Sequence, residues 1–234
     1  MKIHGLQKMT LLDFPGHVAC TVFLGGCDFR CPFCHNFELV DGSAPAILEE
    51  DELLGFLAKR RGLLDGVAFT GGEPCMRKDL PELLRKVREL GFAVKLDTNG
   101  NHPEVLRQIL EEGLAEYVAM DVKNSPEKYA LTVGLGTADD RMDLSRIQES
   151  MRLLAESGID YEFRTTVIDE LHTADDFEAI RLFAGNVPHF YLQAFTDRDS
   201  VPFGGFHAPS RENMEKYAEI LRKSIPDVQI RGMD

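Results

Sequence analysis

The sequence predicts an α/β fold in which strands alternate with helices around a parallel sheet. Six short apolar runs have the length and composition of strands, and segments of helical period separate them. This alternation is typical of consecutive βα units. Six such units form either an open doubly wound sheet or an incomplete (β/α)6 barrel. In both architectures, the carboxyl ends of the strands line the functional site.

The predicted strands follow one another along the chain. They cover residues 17–24, 66–70, 92–97, 115–121, 160–168 and 189–195. Helices are predicted between strands because apolar residues recur there at i, i+3, i+4 and i+7. The clearest stripes are Leu83, Leu84, Val87 and Leu90, then Val105, Leu106, Ile109 and Leu110, then Leu144, Ile147, Met151 and Leu154. Gly91, Gly113 and Gly158 follow these stripes, where a left-handed helix cap is expected.

Length and composition favour a single domain over residues 1–234, with a helix and tail at about 210–234. The length is near the upper end for one hydrophobic core, and no Pro/Gly/Ser-rich linker divides the chain. The net charge of −13 argues against a nucleic-acid partner, because it repels phosphate backbones. We find no apolar run of membrane-spanning length and no secretory h-region. We therefore expect no membrane partner and a cytoplasmic location.

Three of the five cysteines, Cys27, Cys31 and Cys34, lie in one loop (residues 25–36) with the spacing C-x3-C-x2-C. Thiolates are the ligands that iron–sulfur clusters prefer, and cysteines on a short irregular loop can converge on one cluster. Three thiolates hold three irons of a four-iron cluster and leave the fourth iron open. Such a cluster can bind a substrate as well as carry an electron.

Two other interpretations of this loop remain open on the residues alone. Cys31, Cys34 and His35 form a C-x-x-C-H haem-attachment string, which would leave Cys27 unused and would require export. A structural zinc site would use the three cysteines with His35 or a distant fourth ligand. The remaining cysteines differ: Cys20 lies in an apolar run and is expected to be a small buried hydrophobe. Cys75 follows Gly-Gly-Glu-Pro, beside a candidate site.

Polar motifs follow four of the predicted strands. They are the cysteine loop, Thr70-Gly71-Gly72-Glu73-Pro74, Asp97-Thr98-Asn99-Gly100 and Asp121-Val122-Lys123. Because the carboxyl ends of parallel strands meet at one edge, we expect these motifs to converge.

Each motif indicates a chemistry. Gly71-Gly72 allows close backbone approach to a ligand, and its carbonyls with Glu73 would hold an ammonium group. Asp97, Thr98 and Asp121 could bind a cation or sugar hydroxyls, and Lys123 complements a carboxylate.

At this point the sequence resembles a known family. The cysteine spacing, Phe33 before the third cysteine and Gly71-Gly72-Glu73 resemble the radical S-adenosylmethionine (SAM) superfamily. Asp13-Phe14-Pro15-Gly16, Cys34-His35-Asn36 and the two aspartate motifs are similar to those of the glycyl-radical-enzyme activases. The opening segment is most similar to the activating proteins of anaerobic ribonucleoside-triphosphate reductases. The resemblance extends from residue 5 to about 195, and no motif identifies the tail from Ser210 to Asp234.

The resemblance implies a partial (β/α)6 TIM-like barrel with one [4Fe-4S] cluster on the three cysteines and SAM on its open iron. The implied SAM-binding residues are Phe33 (adenine), Gly71, Gly72 and Glu73 (amino group), Lys123 (carboxylate or ribose) and Asp97, with Arg164 and Gln193 as further pocket candidates. A monovalent cation, Na⁺ or K⁺, would lie on Asp97, Thr98, the Met120 carbonyl and Asp121. No inserted cysteine pair provides for a second cluster.

The implied activity is reductive cleavage of SAM to a 5′-deoxyadenosyl radical, which abstracts hydrogen from a backbone glycine of an anaerobic (class III) ribonucleoside-triphosphate reductase. Flavodoxin or ferredoxin would supply the electron. We expect residues 13–16 to border the opening through which the partner's glycine loop enters. The alternatives are an activase of another glycyl-radical enzyme such as pyruvate formate-lyase, a small-molecule enzyme similar to 7-carboxy-7-deazaguanine synthase, and a non-catalytic zinc-binding module.

Overall fold

The structure, a computed structural model, describes residues 1–136 and 142–233. Its strands in chain order are β1 (Lys2–Ile3), β2 (Gly5–Thr10), β3 (Ala19–Leu24), β4 (Leu48–Glu49), β5 (Gly66–Gly71), β6 (Ala93–Thr98), β7 (Tyr117–Asp121), β8 (Asp160–Val167), β9 (His189–Ala194) and β10 (Asp227–Arg231). The helices are α1 (Phe37–Asp41), α2 (Glu50–Ala58), α3 (Leu80–Glu89), α4 (Pro103–Glu111), α5 (Tyr129–Thr132), α6 (Leu144–Ser157), α7 (Ala174–Ala184) and α8 (Arg211–Arg222). In the described ranges, no helix combines the length and apolar character required to cross a membrane.

The main sheet has eight strands in the order β10-β9-β8-β7-β6-β5-β3-β2. Neighbouring strands are parallel except β2, which is antiparallel to β3. The six predicted strands are β3 and β5 to β9, and each observed boundary lies within two residues of the prediction. The predicted α/β fold with a parallel sheet is therefore confirmed. The edge strands β2 and β10 were not among the six, although β10 and α8 account for the predicted helix and extended tail.

The predicted helical stripes form α3, α4 and α6, and their apolar residues are largely buried. Gly91, Gly113 and Gly158 all have positive φ, at +91°, +61° and +74°. Because residues with a Cβ rarely adopt this backbone conformation, glycine ends each helix at the predicted place.

One face of the central strands is polar. Lys95 and Asp97 share a face of β6, and the equivalent face of β8 carries Glu162 and Arg164, because side chains two residues apart point the same way. Side chains on this face contact one another across the strands. For example, Tyr117 Oη, on β7, donates a hydrogen bond to Glu162 on β8 (2.6 Å). The alternate positions are apolar and buried, among them Val94, Leu96, Val118, Met120 and Phe163. The hydrophobic core therefore lies on the other face of the sheet.

The segment Asp13-Phe14-Pro15-Gly16 lies at the amino ends of the strands. The Phe14 side chain is 1% exposed. Its ring lies so close to Gly66, the first residue of β5, that a Cβ there would come within 2.8 Å of it. It also lies 6.4 Å, centroid to centroid, from the ring of Tyr117, the first residue of β7. The cysteine loop follows the opposite end of β3, so residues 13–16 and the cysteine loop lie at opposite edges of the sheet. The expectation that residues 13–16 border the opening for the partner's glycine loop stays a prediction.

The cysteine loop is seated on the end of α5. The amide of Arg30 donates to the carbonyl of Val133 (2.9 Å). A Cβ on Gly134 would come within 2.1 Å of the Arg30 carbonyl oxygen, and Gly134 also has a positive φ of +76°. The loop therefore depends on the absence of a side chain at this position.

We expect Phe14→Ala to destabilise the protein by about 3–5 kcal/mol, because it opens a cavity beneath the strands. Denaturant unfolding measures this difference. Leu12→Ala is the matched control, since Leu12 is 90% exposed in the neighbouring turn and such changes usually stay within about 0.5 kcal/mol. Equal stability of the two variants would show that Phe14 does not seal the amino edge.

We expect Gly134→Ala to lose most of its iron and sulfide uptake on anaerobic reconstitution, because the added Cβ displaces the cysteine loop. The control is Gly136→Ala. Gly136 has a similar φ of +83°, but a Cβ there meets nothing within 4 Å among the described residues. Both variants carry the strain of a left-handed backbone, and only one carries the clash. Equal iron content in the two would contradict the seating of the loop on α5.

Candidate active site

A cavity of about 260 Å³ at the carboxyl edge of the sheet brings the predicted motifs together. All three loop cysteines line it. So do all eight predicted SAM-binding residues, namely Phe33, Gly71, Gly72, Glu73, Asp97, Lys123, Arg164 and Gln193. Of the predicted cation ligands, Thr98 and Asp121 also line it, whereas Met120 does not. The structure thus gathers these residues in one place, and their roles toward a ligand remain predictions.

The cysteines of the cavity are suited to an iron–sulfur cluster by their chemistry. All three are free thiols, Cys31 is buried, and Cys27 and Cys34 are half-buried. Burial raises the pKa of the Cys31 thiol to about 11. A thiolate at this position therefore requires a nearby positive centre, which iron provides. In the described residues, no group of three or more His, Cys, Asp and Glu side chains is arranged to hold a metal ion, so the support comes from donor type and a shared cavity.

Gly71, the last residue of β5, and Gly72, which follows it, are required by close packing of backbone on backbone. A Cβ on Gly71 would come within 2.3 Å of the Leu24 carbonyl oxygen, and one on Gly72 within 2.0 Å of the Gly26 carbonyl oxygen. The Gly72 amide donates to Leu24 (2.9 Å) and the Glu73 amide to Gly26 (2.7 Å). The turn after β5 is therefore held directly against the start of the cysteine loop. Sequence reasoning assigned these glycines only to ligand approach.

The Glu73 carboxylate is committed to the protein itself. The residue is 1% exposed. Its Oε1 accepts from the Cys75 amide and the Thr98 hydroxyl (both 2.8 Å), and its Oε2 accepts from the Asn99 amide (2.6 Å). Burial raises the pKa of Glu73 to about 7, although these hydrogen bonds oppose the rise. Glu73 therefore ties the turn after β5 to the end of β6.

A network of buried charges lies beside the cysteines. Arg164 Nε donates to Asp121 (3.0 Å) and its Nη1 lies 3.4 Å from Asp97. Lys123 Nζ donates to Asp121 (2.8 Å), and Lys95 pairs with Asp97. Burial alone would raise the pKa of Asp121, but Lys123 and Arg164 hold it at about 2. Lys123 and Arg164 are thus the two cations among the described residues that line the cavity, beside the carboxylates of Glu73, Asp97 and Asp121.

The predicted cation site competes with this network. Asp97 and Asp121 already face protein cations. The Thr98 hydroxyl donates to Glu73. A bound Na⁺ or K⁺ would have to share these oxygens with Lys95, Lys123 and Arg164, and the site stays a prediction.

Aromatic residues join the cysteine loop to the segment after β9. The His35 ring stacks on Phe195 at 5.5 Å, and its Nε2 donates to the Thr196 carbonyl (2.6 Å). Phe206 lies edge-on to both Phe33 and Phe195, at 6.4 Å from each. This commitment of Nε2 disfavours His35 as a fourth metal ligand through that atom. Sequence reasoning did not anticipate these contacts, because paired aromatics far apart in sequence form no short motif.

Comparison with known proteins identifies the family. The model described as Radical SAM superfamily matches residues 21–184. A Methanocaldococcus jannaschii protein with the provisional name glycyl-radical enzyme activating enzyme is 30% identical over 237 residues, which cover 99% of this chain and 96% of that protein. The pyruvate formate-lyase-activating enzyme of Clostridium pasteurianum is 30% identical over 145 residues, 58% of each chain. The 7-carboxy-7-deazaguanine synthase of Thermococcus kodakarensis is 30% identical over 158 residues, again 58% of each.

Solved structures show the same fold. A radical SAM methyltransferase from Sphaerobacter thermophilus matches with a TM-score of 0.74, covering 96% of this chain and 69% of that one, at 19% identity. That identity shows the shared fold alone. The matched family model and the similarity along nearly the whole chain show the family as well. This chain belongs to the radical SAM superfamily and, within it, to the family of glycyl-radical enzyme activating enzymes.

Proposed function

We propose that this radical SAM enzyme activates an anaerobic ribonucleoside-triphosphate reductase by abstracting hydrogen from a backbone glycine of that partner. The observation that carries the proposal is the shared cavity, in which three free cysteines lie beside the cationic side chains of Lys123 and Arg164. Similarity along nearly the whole length of a glycyl-radical enzyme activating enzyme supports the class of partner. The opening segment, similar to that of reductase activases, supports the reductase as the partner.

When bound, the reduced [4Fe-4S] cluster would supply the one electron that cleaves SAM into methionine and a 5′-deoxyadenosyl radical. Cys27, Cys31 and Cys34 would hold the cluster. The contribution of the other residues is to bind SAM in one orientation and to keep water away from the reacting atoms.

The cavity offers complementary groups for each part of SAM. The carbonyls of Gly71 and Gly72 face the amino group, while Lys123 and Arg164 provide positive charge for the carboxylate. Asp97 and Gln193 would contact the ribose or methionine portion, and Phe33 the adenine. Because Lys123 and Arg164 are already held by Asp121, they are oriented before the ligand arrives.

Three finer features belong to the same proposal. Flavodoxin or ferredoxin would donate the electron. Na⁺ or K⁺ would bind at Asp97 and Asp121 by sharing their oxygens with Arg164. The enzyme would act in the cytoplasm, where its reductase partner is made.

The alternatives retain specific support. Pyruvate formate-lyase activase and 7-carboxy-7-deazaguanine synthase both match at 30% identity, but over 58% of this chain. The match to a glycyl-radical enzyme activating enzyme covers 99%, which favours a protein substrate. A non-catalytic zinc-binding module is inconsistent with membership of this enzyme superfamily.

The proposal predicts a glycyl radical on the reductase. We expect reconstituted enzyme, SAM and a reductant to generate a protein doublet in the electron paramagnetic resonance spectrum of an anaerobic ribonucleoside-triphosphate reductase. Pyruvate formate-lyase in a parallel reaction tests the partner. A doublet on the lyase alone would replace the reductase, whereas formation of 7-carboxy-7-deazaguanine without any doublet would overturn the activase proposal.

We expect Lys123→Met to weaken SAM binding on the order of 10- to 100-fold, because a hydrogen bond to a charged group contributes about 1.5–3 kcal/mol. Calorimetric titration of reconstituted enzyme measures the dissociation constant. Lys128→Met is the control, since Lys128 pairs with Asp176 (2.6 Å) outside the cavity lining. Unchanged affinity in Lys123→Met would remove Lys123 from the SAM-binding set.

A further inference from the structure

The loop after β6 presents a side-chain amide to the cysteine loop. Asn99 is 6% exposed. Its Nδ2 lies 3.8 Å from the Cys27 sulfur and 3.2 Å from Asp28 Oδ1. This contact lies between two motifs that the sequence placed on different strands, and the SAM-binding set does not include it.

The orientation of the Asn99 amide is set by its other contacts. Its Oδ1 accepts from the Asn101 amide (2.9 Å), so the NH₂ end must face the sulfur and Asp28. Its backbone amide donates to Glu73 (2.6 Å), which fixes the main chain at this position. The donor toward Cys27 is therefore held in place from both ends.

A second set of contacts holds Asp28, the residue after Cys27. Asn101 Nδ2 donates to Asp28 Oδ2, and His102 Nε2 lies 3.2 Å from the same oxygen. Asn99 occupies the other oxygen. The loop after β6 thus makes two separable kinds of contact: Asn99 reaches both Cys27 and Asp28, whereas Asn101 reaches Asp28 only.

We propose that Asn99 donates an N–H···S hydrogen bond to the Cys27 thiolate when the cluster is bound and thereby raises the reduction potential of the cluster. Hydrogen bonds to the ligand sulfurs are among the factors that set such potentials, because a donor stabilises the more electron-rich reduced state. Asn99 is a positioning residue that acts through Cys27. The inference rests on cluster assembly at the three cysteines, as in the proposed function, and is independent of which protein is activated.

The test compares Asn99→Ala with Asn101→Ala. Each variant is reconstituted anaerobically, its iron and sulfide content is measured, and the cluster is titrated against potential while the reduced signal is followed by electron paramagnetic resonance. SAM and the partner are left out. We expect Asn99→Ala to lower the ratio of reduced to oxidised cluster about tenfold at a fixed potential, equivalent to about 59 mV for one electron. Asn101→Ala should shift far less, because it removes only a donor to Asp28.

Asn99→Asp is the second variant. It keeps the size of the side chain, the acceptor for the Asn101 amide and the backbone bond to Glu73, but it replaces the donor with a carboxylate. It should lower the potential at least as far as Asn99→Ala, and it decides the outcome if the alanine variant takes up no cluster. An unchanged potential in the Asn99 variants, or an equal shift in Asn101→Ala, overturns the proposal.

The outcome is separable from that of the proposed function. Failure to activate any glycyl-radical enzyme would leave the potential shift standing. Absence of iron and sulfide from the wild-type protein would instead remove the cluster on which both proposals depend.

Discussion

The contact between the turn after β5 and the start of the cysteine loop is the constraint on which the site depends. The two backbone segments approach so closely that a single Cβ on Gly71 or Gly72 would overlap a carbonyl oxygen of the facing segment. The Glu73 carboxylate then links this contact to the end of β6, because it accepts hydrogen bonds from Thr98 and Asn99. The Glu73 carboxylate therefore ties the turn after β5 to the end of β6, while the backbone amides of Gly72 and Glu73 tie the same turn to the end of β3 and the start of the cysteine loop.

The polar face of the sheet explains how so much charge is kept inside the protein. A buried charge is costly unless it is paired, and pairing with fixed partners recovers most of that cost. Lys95, Asp97, Asp121, Lys123 and Arg164 form a connected set in which each ion has an opposite neighbour. Two of its cations, Lys123 and Arg164, also line the cavity that holds the cysteines, and Asp121 holds both of them in orientation.

Periodicity and strand-end logic were sufficient to predict the parallel sheet and the convergence of the four polar motifs on the cavity. Phe33, Arg164 and Gln193 were implied by the family resemblance instead. Both depend on local pattern. The spacing of apolar residues indicates which positions are buried, and the carboxyl ends of parallel strands all lie at the same edge of the sheet. The pattern could not show that Glu73 is saturated by internal donors, because its partners lie about 25 residues away. It also did not show which edge of the sheet residues 13–16 cover, since no periodicity reports it. Phe14 is buried by Gly66 and Tyr117, contacts that exist only after the strands pair.

The two edges of the sheet have different roles: the amino edge contributes to stability, and the carboxyl edge carries the candidate site. At the amino edge, Phe14 packs under the strands, and nothing there lines the cavity. At the carboxyl edge, the cysteine loop is supported by three elements: α5 through Arg30, the loop after β6 through Asp28, and the segment after β9 through His35. Each of these elements contacts a different part of the cysteine loop. The loop is therefore held at several points, although it has no regular secondary structure. A cluster held there would gain and lose an electron with little movement of its ligands, because contacts with neighbouring elements already hold the surrounding backbone in place. The neighbouring elements thus hold the cysteine loop in place, and of the three only the loop after β6 belongs to a motif that resembles the family's.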